Sequence, residues 1–147
     1  IYVDNDPEKL RTLRSGKITI YEPGLQTLFD RNAKEGRLVF TDNLREAVEN
    51  SEIIFLALPT PPMEDGSADL KYVLQVAREI GPMMNGYKII VNKSTVPVGT
   101  ADLVAAAVGE NSSAEYDVVS NPEFLREGAA AQALMPRMGV MPIFLTG

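Results

Sequence analysis

Short apolar runs rich in β-branched residues alternate with longer stretches of helical periodicity along this chain, and each run ends on a residue that stops a strand. That rhythm is the pattern of βαβ units and a parallel sheet. Ile1-Tyr2-Val3 reads as the tail of a strand ending at Asp4. Asp6-Pro7-Glu8 then supplies an N-cap, a proline at the first helical position and an acidic first turn, for a helix through Leu10 and Leu13 that stops near Ser15-Gly16. A loop, Lys17 to Pro23, leads to a second helix from Leu25 to Lys34. Leu38-Val39-Phe40 is a predicted strand, and Asp42 the predicted cap of a helix carrying Leu44, Ala47 and Val48. The run Ile53 to Leu58 is apolar on both faces, as a central parallel strand requires. Pro59-Thr60-Pro61-Pro62 ends it, and Asp69 begins a helix with Val73, Val76, Ala77 and Ile80 at helical spacing. Strands over Tyr87–Val91 and Tyr116–Ser120 flank a helix from Thr100 to Val108, and Asn121-Pro122-Glu123 opens a further helix. The expected architecture is α/β and doubly wound, with a mainly parallel sheet and helices on both faces.

At 147 residues the chain suits one domain. Its 14 basic and 20 acidic side chains give a net charge of −6, with no run of like charges. That balance argues against a nucleic-acid partner or an anionic membrane, either of which calls for a basic face. With 0 Cys and 0 His, the chain itself holds no disulfide framework, Cys/His zinc site, Ser-His-Asp triad or cysteine nucleophile, and no metal site is expected. Its longest apolar run is far shorter than a membrane span. No signal peptide is evident, and the first residue is Ile rather than Met, so the start is expected to be cut.

Ligands of open α/β sheets bind beyond the carboxyl ends of the strands, so the residues just after each strand carry the functional information. Asp4 can accept hydrogen bonds from both ribose hydroxyls of an adenosine and repels a 2′-phosphate, favouring NAD over NADP; it can equally be a turn acid beside a capped helix. Thr60 lies in a proline-rich loop with few backbone donors, and reads as a ligand contact or as part of a strand terminator. In Lys93-Ser94-Thr95-Val96-Pro97-Val98-Gly99, two hydroxyls and an ammonium follow a strand; the hydroxyls can hold a water or a ribose, and Lys93 can be a solvated cation. Glu123 and Glu127, four residues apart, share one face near a helix N-terminus. Such a pair can do acid/base work, orient a sugar, or be surface acids screened by Arg126.

Taken in order, VDNDPEK, IYEPGL, FLALPTPP, DGSADLKYV, NGYKIIVNKSTVPVGT and VSNPEFLREGAA resemble the UDP-glucose/GDP-mannose dehydrogenase family from Asp4 to Ala131. KSTVP followed at this separation by NPEFLREG is highly specific. The resemblance implies a Rossmann-like NAD-binding domain. It also implies an oxidoreductase that converts the C6 primary alcohol of a nucleotide sugar to a carboxylate while reducing two NAD in succession. The likeness is nearest to the branch that makes UDP-glucuronate from UDP-glucose, a precursor for polysaccharide biosynthesis. GDP-mannose and UDP-N-acetyl-sugar branches share several motifs, and a non-catalytic nucleotide-binding fragment is a further alternative.

Carried over by resemblance, Asp4 binds the adenosine ribose with Lys9 beside it. Leu58, Pro59, Thr60 and Pro61 line the dinucleotide, and Ser94 and Thr95 sit at its nicotinamide end, Thr95 helping to hold a catalytic water. Glu123 matches the acid/base residue, Phe124, Leu125, Arg126 and Glu127 contact the sugar nucleotide, and Glu127 also approaches NAD. The resemblance further implies a cytoplasmic enzyme that is a homo-oligomer at full length. Measured against the family, residues 1–147 form an incomplete NAD-binding domain. The family's first strand and its G-x-G-Y-V-G turn are expected before Ile1, and its catalytic Cys, with accompanying Lys, Asn and Asp, in a later domain. This leads to an expected sheet with an open central position and bare strand edges, prone to aggregation. Turnover from these residues alone is not expected. The tail from Met135 to Gly147 departs from the family's P-D-R-x-x-x-G strand, leaving the register of that strand open.

Overall fold

The computed structural model describes residues 1–121 and 144–145. Within them one parallel sheet runs in the order β2-β1-β6-β3-β4-β5. Its strands are β1 (Tyr2–Val3), β2 (Phe40–Thr41), β3 (Ile53–Leu56), β4 (Lys88–Asn92), β5 (Tyr116–Ser120) and β6 (Phe144–Leu145). The chain steps outward from β1 to β2 in one direction and from β3 through β4 to β5 in the other, so the winding reverses between β1 and β3. This is the doubly wound arrangement the alternating pattern predicts.

The central position, expected to be open, is instead taken by β6, whose backbone pairs Val3 with Leu145 on one side and Phe55 with Phe144 and Leu56 with Leu145 on the other. The cause is general. Facing edges of β1 and β3 each present unpaired N–H and C=O groups, and one extended segment between them satisfies both.

Helix α1 (Pro7–Arg14) starts as its sequence dictates, with the Asp6 carboxylate accepting from the N–H groups of Glu8 (2.9 Å) and Lys9 (3.3 Å). Helix α2 (Leu25–Lys34) buries Phe29, which stacks on Phe40 at 5.6 Å; Phe40 in turn meets Tyr2 edge-on at 5.9 Å. Several boundaries move from their predicted places. β2 lies at Phe40–Thr41 rather than Leu38–Phe40, because Tyr2 N–H bonds Val39 O and Asp4 N–H bonds Thr41 O. The cap of α3 (Leu44–Glu49) is Asn43, not Asp42: its Oδ1 accepts from Glu46 N–H while its Nδ2 donates back to the Glu46 carboxylate, a reciprocal capping pair.

β3 is shorter than its apolar run and alternates, with Ile54 and Leu56 buried and Ile53 and Phe55 half-buried. It leaves the ladder because Leu58 N–H turns to the Ser94 hydroxyl (3.1 Å). Helix α4 (Lys71–Ile80) begins two residues after Asp69, whose carboxylate accepts from Lys71 N–H. A 3-10 turn over Gly81–Met83 follows, and α5 (Thr100–Gly109) lies between β4 and β5. β5 falls where predicted, whereas β4 is one residue later than expected.

One face of the sheet and helices α3, α4 and α5 form the main core around Val48, Ile54, Leu56, Val73, Ile80, Ile90, Val104 and Val108. Burying a side chain of this kind stabilises the fold by about 1.5–3 kcal/mol. The helices approach so closely that a Cβ on Gly81 would lie 2.3 Å from Val108 O, which only glycine permits.

Candidate functional site

Because every strand pair among the described residues is parallel, the residues that leave the strands at their carboxyl ends share one edge of the sheet. Asp4 follows β1, Leu58 to Pro61 follow β3, Lys93 to Thr95 follow β4 and Asn121 follows β5. The edge spans the point at which the winding reverses, where α/β folds bind their ligands.

Asp4 is buried, at 2% exposure. Its Oδ2 accepts from the Tyr2 hydroxyl (2.8 Å) and lies 2.6 Å from Lys9 Nζ, while Oδ1 accepts from Asp6 N–H (3.0 Å). The Lys9 ammonium also stands 5.8 Å from the centre of the Tyr2 ring. Burial by itself would lower the Lys9 pKa; its contacts with Asp4 and Tyr2 outweigh burial and hold it above the usual 10.5. Strand, cap and helix place these groups. Tyr2 and Asp4, two apart, point to the same face of the extended backbone, and the first turn of α1 carries Lys9 back over them. The predicted pair of Asp4 and Lys9 is thus brought together, with Tyr2 as a partner that sequence reading missed. Its signal was the period of two linking it to Asp4.

The loops after β3 and β4 are tied to each other. Ser94 Oγ donates to Leu58 O (2.7 Å) and accepts from Leu58 N–H. Thr60 Oγ1 donates to Thr95 O (3.2 Å), and Lys93 N–H bonds Leu56 O. Leu58 is buried and Thr60 half-buried, whereas Pro59 and Pro61 are exposed, as is Thr95. Ser94, expected to sit at the nicotinamide end, ties the two loops together, and Thr95 beside it is exposed. Glu123, Phe124, Leu125, Arg126 and Glu127 lie outside the described residues; Asn121, just before them, donates its N–H to Asn92 O (3.0 Å).

Asn92 is a second residue that sequence reading missed. It ends β4 at 1% exposure, in register with Leu56 and Ser120, and lines a cavity of about 260 Å³ beneath the loop Val96 to Gly99. A larger, open concavity of about 600 Å³ is lined by Pro61 to Asp65 and Asp69. Two of its carboxylates are engaged locally, Asp65 with Ser67 and Asp69 with Lys71. Among the described residues no helix is long and apolar enough to cross a membrane.

Comparison with known proteins agrees with this geometry. Residues 1–140 match the NAD binding domain of the UDP-glucose/GDP-mannose dehydrogenase family. UDP-glucose 6-dehydrogenase TuaD of Bacillus subtilis is 52% identical over 134 residues, covering 90% of this chain and 29% of the relative. The UDP-glucose 6-dehydrogenase of Rhizobium meliloti is 50% identical over 134 residues, covering 90% and 31%. This chain therefore spans less than a third of the length of these relatives. Among solved structures, a UDP-glucose dehydrogenase from the archaeon Pyrobaculum islandicum superposes with a TM-score of 0.81 at 38% identity, over 99% of this chain and 39% of that one. A GDP-mannose dehydrogenase from Pseudomonas aeruginosa gives 0.77 at 27% identity, over 98% and 39%. The chain belongs to the UDP-glucose/GDP-mannose dehydrogenase family and corresponds to its NAD-binding domain.

Proposed function

We propose that this chain is the cofactor-binding part of an NAD-dependent dehydrogenase that oxidises UDP-glucose at C6 to UDP-glucuronate. The observation that carries the reading is the convergence of the Asp4 cluster and the two clamped loops on one strand-end edge, on either side of the winding reversal. The residues fit NAD. Asp4 is a carboxylate at the end of the strand beside the reversal, where it can accept from a ribose diol and repel a 2′-phosphate. NAD, when bound, supplies the hydride acceptor.

Lys9 pairs with the Asp4 carboxylate and holds it in place. Leu58 to Pro61 form a stiff wall with few backbone donors to compete for water. The Ser94 clamp fixes the backbone from which Thr95 projects, and Thr95 would hold the water consumed when the aldehyde level is oxidised to the acid. Glu123 would serve as acid/base, with Phe124 to Glu127 against the sugar nucleotide. The net change, alcohol plus water to carboxylate with two hydrides removed, needs a covalent catalyst that a chain with 0 Cys does not itself contain. UDP-glucose is preferred to GDP-mannose because relatives bearing the former name reach 52% and 50% identity, against 27% for the GDP-mannose enzyme. The same reading places the full-length protein in the cytoplasm as a homo-oligomer supplying polysaccharide precursors.

Calorimetric titration of the chain with NAD and NADP tests it. NAD should bind at least about tenfold more tightly, a difference of about 1.4 kcal/mol, and Asp4→Ala should erase the preference. Equal affinities would contradict the assignment of Asp4. With UDP-glucose and NAD the chain alone should produce no NADH.

A further inference from the structure

An asparagine loses ammonia readily only where the backbone nitrogen of the next residue is free to attack its side-chain carbonyl carbon. Local structure denies this to most asparagines of the chain. Lys93 N–H is bonded to Leu56 O, Ser51 N–H to Val48 O and Asp6 N–H to Asp4 Oδ1, which ties down the nitrogens after Asn92, Asn50 and Asn5. Asn32 lies within α2, Glu46 holds the Asn43 carboxamide at both ends, and Asn121 precedes a proline, which has no N–H. Asn111 is followed by Ser112, whose side chain crowds the approach.

Asn85 is the exception. It precedes Gly86 in the link between the 3-10 turn and β4, outside any helix or strand, and both residues are exposed. Among the described residues the Gly86 N–H and the Asn85 Oδ1 meet no hydrogen-bond partner. Glycine adds no side chain to the approach and leaves the backbone free to turn. The product also has a partner waiting. Asn85 Nδ2 donates to Glu49 O at 3.0 Å, at the carboxyl end of α3, and Lys88 Nζ reaches the same oxygen at 3.4 Å. Lys88 is buried, at 5% exposure, and that carbonyl oxygen is the ammonium's single partner among the described residues. A buried ammonium so thinly held gains from a carboxylate beside it.

We propose that Asn85-Gly86 is a self-modifying site, which converts to aspartate or isoaspartate and presents the new carboxylate to Lys88. Gly86 N bonds Asn85 Cγ as the Cγ–Nδ2 bond breaks, and the N–H proton leaves with Nδ2 as ammonia. Water then opens the succinimide ring at either carbonyl; nothing is oxidised or reduced. The net charge moves one unit below −6. The site lies at the amino edge of the sheet, away from Asp4 and the clamped loops, so the inference stands apart from the dinucleotide reading.

The test is to incubate the 147-residue chain at mildly alkaline pH and follow every asparagine-bearing peptide by mass spectrometry, with ion exchange separating the more negative product. Conversion should appear at Asn85 well before Asn111, and Gly86→Ala should suppress it. That variant should fold as the native chain does, because the glycine's φ is not positive and nothing lies within 4 Å of the added methyl. Conversion that is no faster at Asn85 than at Asn111, or that survives Gly86→Ala unchanged, would overturn the inference. The part played by Lys88 is read from urea unfolding of Asn85→Asp, Lys88→Met and the double variant. Lys88→Met should do more damage to the Asn85→Asp chain than to the native one, and equal effects would overturn the assignment of Lys88. Should Lys88→Met not fold, Lys88→Gln takes its place.

Discussion

Asp4 and Asn92 are both buried polar residues at the carboxyl ends of parallel strands, at 2% and 1% exposure, yet their surroundings differ in every respect. The Asp4 carboxylate takes contacts from a hydroxyl, an ammonium and a backbone N–H of residues close in sequence. Asn92 is neutral and unpaired, in a pocket assembled from two strands, a loop and a helix end. A satisfied buried carboxylate is part of the structure: removing it takes an acceptor from the groups around it. An orphaned buried amide costs stability, and removing it relieves the fold.

The largest test of that contrast is Asp4→Ala. It takes a carboxylate away from the Lys9 ammonium and the Tyr2 hydroxyl, and should cost about 3 kcal/mol in urea unfolding, as breaking a buried pair does. Asn92→Leu should act with the opposite sign, raising stability by about 1 kcal/mol as an unpaired donor and acceptor give way to an apolar group of similar size. A loss of stability there would mean that the amide has a partner in solution and that the two ends are built alike.

The smallest effect is a pH dependence at the Asp4 end. Because the folded-state pKa of Lys9 is raised above its usual 10.5, its stabilising contribution is complete below about that pH and fades as pH rises through the folded value. Melting curves of the native chain and Lys9→Met should therefore converge at strongly alkaline pH. A gap that stays constant would show that the Lys9 charge contributes nothing.

How far each end could be read from sequence follows from the same difference. Asp4 was legible because a strand, an acid and a capped helix are local grammar, and the expected Lys9 contact formed one turn into α1. The parallel sheet was legible from the alternation of apolar runs and helical stretches. Strand limits were less so: hydrogen bonds from Tyr2 and Asp4 fix β2 around Phe40, and Ser94, 36 residues away, draws Leu58 out of β3. A strand in the tail was expected only through the resemblance, with its register open, since a two-residue β6 has no periodicity and its place is set by two edges far away in sequence. Asn92 reads simply as a strand end. Its isolation arises only when Ser120 comes into register and the loop from Val96 to Gly99 covers it. The segment from Glu123 to Glu127, expected to carry the acid/base residue, lies outside the described residues.

The most direct test of the central claim, that one edge of the sheet is the dinucleotide site, is an amide-shift map of the chain with NAD added. The account predicts perturbations at Asn5, Asp6, Ala57, Leu58, Ser94 and Thr95, just beyond the carboxyl ends of β1, β3 and β4, with Glu52, Tyr87 and Glu115 at the opposite edge unmoved. Shifts centred on that opposite edge, or scattered without relation to the strand ends, would contradict it.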